Sequence, residues 1–174
     1  MIRYYTKTAF FIRKPGYLSV LLNLDHFDIL GVNRHYNINK DNLELRYKLV
    51  KKKNDFLDSK MFNNYVNKAY ITLKNDYDRA VYMLLLEGIE IKKDDKLTNQ
   101  QCLEEIIQIH DKIDEGFYGL MALKEEVREK IEEIKFDFNE AIENKDLDKA
   151  KEYCILLSYY MKAEDSIFQK INDV

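Results

Sequence analysis

From Leu120 to Ile142 the chain places an apolar residue every third or fourth position, at Leu120, Leu123, Val127, Ile131, Ile134, Phe138 and Ile142, with no Gly or Pro between them. An α-helix turns once in 3.6 residues, so this spacing lines one side of a rod roughly six turns long. The two-residue alternation of a half-buried strand is missing from it. The rest of the chain is as poor in breakers. It has five Gly in 174 residues, and its single Pro is Pro15. Parallel α/β folds spend Gly on strand-to-helix turns and phosphate loops, and little is left here for that. The reading is all-α.

Helices can be placed along most of the length. Asp25 to Val32 (DHFDILGV) reads as a short apolar helix ended by Gly31, a residue suited to the left-handed terminator position. Asn39 is placed to cap the next helix, where Leu43, Tyr47 and Val50 form an apolar stripe and Arg46, Lys48, Lys51, Lys52 and Lys53 read as the opposite side. Asn54, Asp55 and Asp58 make a short connection. Ser59 then caps a long third helix, with Met61, Tyr65, Ala69, Leu73, Tyr77, Ala80 and Leu84 recurring until Gly88. The expected product is an antiparallel helical hairpin closed by the short first helix.

A second group of helices follows the polar stretch Glu90 to Gln101. Asn99 to Glu115 carries Leu103, Ile106, Ile107, Ile109, His110 and Ile113 and stops at Gly116. After the long 120–142 helix, Asp146 caps a last one. Its first stripe is Leu147, Ala150, Cys154, Leu157, Met161, Phe168 and Ile171; its second is Tyr153, Leu156, Tyr160 and Ile167, which makes it broad enough to pack on two neighbours. The expectation is a three-helix antiparallel bundle. The domain reading is an N-terminal arm at 1–24, a hairpin domain at 25–92 and a bundle at 93–174.

Charge divides the same way. Residues 1–93 hold 17 Lys and Arg against 10 Asp and Glu, whereas residues 94–174 hold 11 against 21. A basic half and an acidic half suggest two surfaces with different partners, the alternative being two solvated domains. Two Cys, Cys102 and Cys154, permit no disulfide framework and no zinc site of Cys pairs. No apolar run spans a membrane. Walker A, Gly-x-Gly-x-x-Gly, His-Glu-x-x-His and Cys-x-x-Cys patterns are all absent, and His110 with Asp111 and Asp114 reads as an incidental surface cluster. The chain is therefore read as a non-enzyme without metal or other cofactor. A nucleic-acid role is not favoured, because it wants exposed aromatics among the basic residues and Tyr47 lies on the apolar stripe. The arm before Asp25 is basic, acid-free and aromatic-rich, like a mitochondrial-type presequence. Otherwise it is an ordinary arm in which Tyr17 to Leu24 forms a short helix.

Three segments carry a family resemblance: the short helix ending at Gly31, the capped helix with its Leu43-x-x-Arg46-Tyr47 core, and Asn67-Lys68-Ala69-Tyr70. To these add Asp78-Arg79-Ala80-x-Tyr82-x-Leu84-Leu85 before Gly88. In order and spacing they resemble the J-type domain of the HscB co-chaperones. Leu103 to Glu115 and Ala150 to Lys162 resemble that family's C-terminal bundle, so the likeness runs over about residues 25–172.

The resemblance implies an adaptor with two surfaces, working by bringing two partners together rather than by chemistry. Its C-terminal face would hold an IscU-type iron–sulfur scaffold protein through Leu103, Glu104, Ile107, Gln108, Asp111, Glu115 and Tyr159. Its J-like half would dock a DnaK-type heat-shock chaperone through Arg46, Lys48, Lys51, Lys52 and Lys53. Glu104 and Gln108 depart from the family's usual apolar and acidic types. A larger departure is the His-Pro-Asp motif with which J domains stimulate their chaperone. With Pro15 the only Pro, that motif cannot be present, and Lys53 to Asp58 stands where the family has a longer loop. Stimulation by that route is not carried over, though Asp55 or Asp58 offers a stand-in acid. The resemblance also implies a mitochondrion or mitochondrion-related organelle, with the cytoplasm as alternative. The competing reading is a structural helical adaptor whose bundle is an oligomerisation module; a homo-oligomer fits either. The C-terminal assignment requires Leu103 and Ile107 to be open to solvent, since Ile106, Ile109 and Ile113 supply a separate inward stripe.

Overall fold

The structure, a computed structural model, describes residues 24–54, 60–116 and 118–172, with backbone only for Lys53 and Asn54. The arm at 1–23 and the connection with Asp55, Asp58 and Ser59 lie outside the described residues. Within them are seven α-helices and no strand: α1 His26–Leu30, α2 Lys40–Asn54, α3 Lys60–Lys74, α4 Asp76–Leu86, α5 Gln100–Asp114, α6 Leu120–Glu143 and α7 Leu147–Asn172. The all-α reading therefore holds. No helix among the described residues is long and apolar enough to cross a membrane.

The chain divides into two compact units, the first ending at Arg79 and the second beginning at Ala80. That boundary falls inside α4, ahead of the step in charge near residue 93. Local bonds explain why the polar stretch after α4 goes with the second unit. Glu87 pairs with Lys145 at 2.8 Å, Asp95 pairs with Lys151 at 2.8 Å, and Leu97 is buried.

In the first unit, Asp25 caps α1 and Asp28 reciprocates: the Asp28 N–H donates to Asp25 at 2.8 Å and the Asp25 N–H to Asp28 at 3.4 Å. Gly31 ends α1 at φ +65°, a conformation other residues adopt only with strain. Asn39 accepts from the Asn42 N–H at 2.8 Å and so starts α2 as expected. Both α1 and α2 pack on α3.

The expected single helix from Ser59 to Gly88 is two helices. Asn75 ends α3 and its side chain accepts from the Asp78 N–H at 2.9 Å, which caps α4. The inward face of α3 is Phe62, Val66, Ala69 and Leu73, whereas Met61 is exposed and Tyr65 half-buried. A run of unbroken four-residue steps such as 61–65–69–73 rotates about 40° per step around a helix, so a rigid neighbour cannot follow it. Mixing in a step of three keeps 62, 66, 69 and 73 on one side.

Arg79, only 3% exposed, fastens this unit. Its guanidinium donates to the Tyr36 carbonyl at 2.8 Å, the Leu73 carbonyl at 2.6 Å and the Asp76 carboxylate at 2.6 Å, and it covers the buried Tyr36 ring at 4.8 Å. The loop before α2 and the α3–α4 corner are thus tied by one buried cation, each of whose three nitrogens donates to an oxygen acceptor.

In the second unit, α5 and α6 each pack on α7. The three-residue connection Asn144 to Asp146 turns α7 back along α6. Six of the seven periodic residues of α6 are buried, with Leu120 half-buried. On α7, Ala150, Cys154, Leu156, Leu157, Tyr160 and Ile167 are buried as expected, but Phe168 is exposed with the Lys124 ammonium 4.9 Å from its ring centre. Met161 and Ile171 are half-buried. Near its C-terminal end α7 therefore buries one stripe rather than two.

Candidate functional site

Asn99 starts α5 by accepting from the Cys102 N–H at 3.2 Å, and this sets which residues look inward. Ile106 and Ile113 are buried, and Ile109 is half-buried. Leu103 and Ile107, one turn apart and about 90° around the helix from that stripe, are 39% and 50% exposed. The separate inward stripe leaves this apolar pair open, as the sequence reading requires. Glu104, Gln108, Asp111 and Glu115 are exposed around it, and Glu104 accepts from the Gln100 amide at 3.0 Å.

Glu105 behaves differently from Glu104. Its carboxylate accepts from the Tyr160 hydroxyl of α7 at 3.0 Å, so one acid of α5 is spent on holding the helix to its neighbour. Burial first, and then Glu105, push the Tyr160 hydroxyl far above its ordinary range, and it remains a protonated donor. Beside this bond lies a cleft of about 220 Å³ lined by Gln108, Ile109, Lys112, Val127, Lys130 and Tyr160, among others. Gln108 belongs both to the rim of the strip and to this cleft. Tyr159 sits one residue from Tyr160 and so about 100° around α7 from the α5 contact. It is half-buried, with the Lys162 ammonium 5.6 Å from its ring centre. The structure therefore gathers six of the seven candidate residues along and just past α5 and leaves Tyr159 on a different helix.

Neither thiol is activated. Cys154 is buried and its thiol is pushed up to about 12 by burial, and Cys102, half-buried, is also raised by burial and by Glu105. No three His, Cys, Asp or Glu side chains among the described residues are grouped to hold a metal.

The basic face of α2 is narrower than expected. Lys48 and Lys52 are exposed, and Lys48 pairs with Glu44 at 2.6 Å. Arg46 and Lys51 are half-buried flanks rather than part of the opposite side, with Lys51 standing 5.4 Å from the centre of the Tyr47 ring. The Lys53 side chain lies outside the described residues. The sequence reading missed Leu45 and Leu49, which are 56% and 45% exposed. The signal was present: they fall about 200° and 240° around the helix from buried Leu43, so one face cannot bury all three.

Residues 98–167 match the family model described as the HSCB C-terminal oligomerisation domain. The chain is 28% identical over 162 residues to the iron–sulfur cluster co-chaperone protein HscB homolog of Arabidopsis thaliana, covering 86% of this chain and 64% of that protein. It is 29% identical over 157 residues to the iron–sulfur cluster co-chaperone protein HscB of Mus musculus, covering 82% and 67%. The chain thus spans about two thirds of the length of these relatives. Its fold superposes on the crystal structure of human co-chaperone protein HscB with a TM-score of 0.79 and 25% identity, covering all of this chain and 93% of that one. Against chaperone HscB from Vibrio cholerae the TM-score is 0.74 at 17% identity, a likeness of fold, covering 86% of this chain and 98% of that one.

Proposed function

We propose that this chain, HscB-type in sequence and fold, is an adaptor in iron–sulfur cluster biogenesis that binds an IscU-type scaffold through α5 and presents it to a DnaK-type chaperone. The observation that carries the reading is the open pair Leu103 and Ile107 with Glu104, Asp111 and Glu115 exposed about it. Aliphatic side chains at the centre of such a face supply burial energy, and carboxylates at its edge select a partner with a basic surface. Gln108 contributes hydrogen bonds at the same edge, and Tyr159 from α7 is the aromatic that widens the contact.

The second half of the role is docking on the chaperone through α2, with Lys48 and Lys52 outermost and Arg46, Lys51 and Lys53 beside them. Without a Pro in the connection after α2, the chain docks without accelerating ATP hydrolysis by the His-Pro-Asp route. Residence in a mitochondrion or mitochondrion-related organelle belongs to the same reading, supported by the basic, acid-free composition of residues 1–24.

Calorimetry against the IscU-type scaffold of the same organism tests the first surface. Binding is expected, and Leu103→Ala with Ile107→Ala is expected to weaken it by about ten- to a hundredfold, the loss of two well-buried aliphatic contacts. Affinity unchanged by the double substitution overturns the assignment. Single-turnover ATP hydrolysis by the chaperone tests the second, and a large acceleration by this protein overturns the absence of stimulation.

A second reading has one observation behind it, the oligomerisation role in the description of the family model matching 98–167. In that reading the Leu103 face pairs with a second copy. Sedimentation over a range of concentrations separates the two, since a tight dimer abolished by the same double substitution favours self-association.

A further inference from the structure

Between α2 and α3 the rings of Tyr47 and Tyr70 lie 4.1 Å apart and 15° from parallel. The Lys51 ammonium is 5.4 Å from the Tyr47 centre, and the Lys74 ammonium is 5.4 Å from the Tyr70 centre. Each ring has one face against the other ring, so each lysine must use the remaining face. The order across the two helices is Lys51, Tyr47, Tyr70, Lys74. The stack is anchored, because the Tyr47 hydroxyl donates to the Asn67 side chain of α3 at 2.9 Å. Both rings are half-buried, whereas Lys74 is exposed.

This arrangement alters the charge of the surface. A free lysine loses rotamer freedom when a partner fixes it, and attraction to an aromatic face meets part of that cost in advance. Lys51 and Lys74 are therefore presented rather than floating. Lys48 stands on the same side of α2, close enough to Tyr70 and Glu44 for its charge to be felt at both. Glu44 is the one acid in this group, and it is engaged by Lys48. Three lysines against one occupied carboxylate give an outward positive ridge crossing from α2 to α3.

We propose that the docking surface of the first unit extends across the tyrosine stack onto α3, with Lys74 as a docking cation, Tyr70 as its positioning residue and an acidic protein surface as the partner. The proposal rests on the reading of α2 as the chaperone-docking face and adds residues that the basic stripe of α2 does not contain. A single-stranded nucleic acid suits the stack poorly, since both faces of each ring are already covered and none is left for a base.

The test measures binding of the full chain to the ATP-bound DnaK-type chaperone of the same organism, across a series of salt concentrations. Five variants are compared: Lys48→Glu with Lys52→Glu, Lys74→Glu, Tyr70→Leu, Tyr70→Phe, and Lys93→Glu as an exposed control. Lys74→Glu is expected to weaken binding by about three- to tenfold at low salt, with the difference fading as salt rises. Tyr70→Leu should lower the affinity less and flatten its salt dependence, and Tyr70→Phe should restore both. Helicity is followed in parallel, so that an unfolded Tyr70→Leu protein leaves Lys74→Glu to decide. If the α2 reversals weaken binding while Lys74→Glu behaves as Lys93→Glu does, the extension onto α3 is overturned and the α2 reading stands. If the α2 reversals also leave binding unchanged, the α2 reading itself is overturned and the extension with it. Loss of affinity in Lys74→Glu without any salt dependence also overturns the proposal, because a charge contact between exposed groups must be screened.

Discussion

Two helices of this chain expose the same apolar element in opposite electrostatic settings. On α2, Leu45 and Leu49 are one turn apart and flanked by Lys48 and Lys52; on α5, Leu103 and Ile107 are one turn apart and flanked by Glu104 and Asp111. A pair of exposed aliphatic residues gives adhesion without direction, whereas the charges beside it discriminate between partners. The difference teaches that, on the proposed reading, selectivity is set at the edge of each face rather than at its centre. The two helices are also held differently from behind. The unit containing α2 depends on a buried polar fastening at Arg79, whereas α5 is held by Ile106, Ile113 and the Glu105–Tyr160 bond.

The contrast in what lies behind the faces is the easiest to break. Arg79→Met should destabilise the protein by about 3–5 kcal/mol in urea unfolding, since the Tyr36 and Leu73 carbonyls and the Asp76 carboxylate lose their donor together. Behind α5, Ile106→Ala should cost about 2–4 kcal/mol, but Ile107→Ala within about 0.5 kcal/mol. Equal losses at 106 and 107 would mean that Ile107 is core and that α5 has no open face.

Exchanging the partners sharpens the comparison further. Leu103→Ala with Ile107→Ala should weaken scaffold binding by about ten- to a hundredfold and leave chaperone docking within about twofold. Leu45→Ala with Leu49→Ala should do the reverse, with a smaller loss because the lysines there carry more of the contact. Calorimetry of both variants against both partners reads this directly, and a variant that lowered both affinities alike would dissolve the distinction between the faces.

The smallest expected effect is one of pH, confined to the first unit. Burial, and then the charge of Lys68, hold the His26 imidazole below its ordinary value of 6.5, with Asp25 opposing. The unfolded chain therefore takes up this proton at a higher pH than the folded one. Stability should be full above 6.5 and decline as pH falls from there towards the lowered folded value. Urea midpoints across that range should show the decline in the native protein and lose part of it in His26→Gln.

Much of this was legible along the chain because it is local. The caps at Asn39 and Asp146, the stops at Gly31 and Gly116 and the inward stripe of α6 follow from residues within one or two turns of each other. The open strip on α5 was legible for the same reason, since Ile106 and Ile113 mark the inward side. Other features were hidden. Asn75 is a good cap residue, but the apolar three- and four-residue spacing runs on through it to Leu84 and so reads as one helix, and Glu104 and Glu105 cannot be told apart until Tyr160 arrives from another helix. The Tyr47–Tyr70 pair is separated by 23 positions, and only the packing of α3 on α2 brings those rings together.

Amino-acid order alone thus determined that this chain is helical, where most helices begin and end, and that its halves carry opposite charge, because periodicity, capping and composition act at short range or not through contacts at all. Tertiary packing decided which side of each doubly apolar helix turned inward, which acid was withdrawn from the surface and which aromatics met. Those choices are made by competition among neighbours for the same buried space, and a neighbour's shape is not written in the segment it covers.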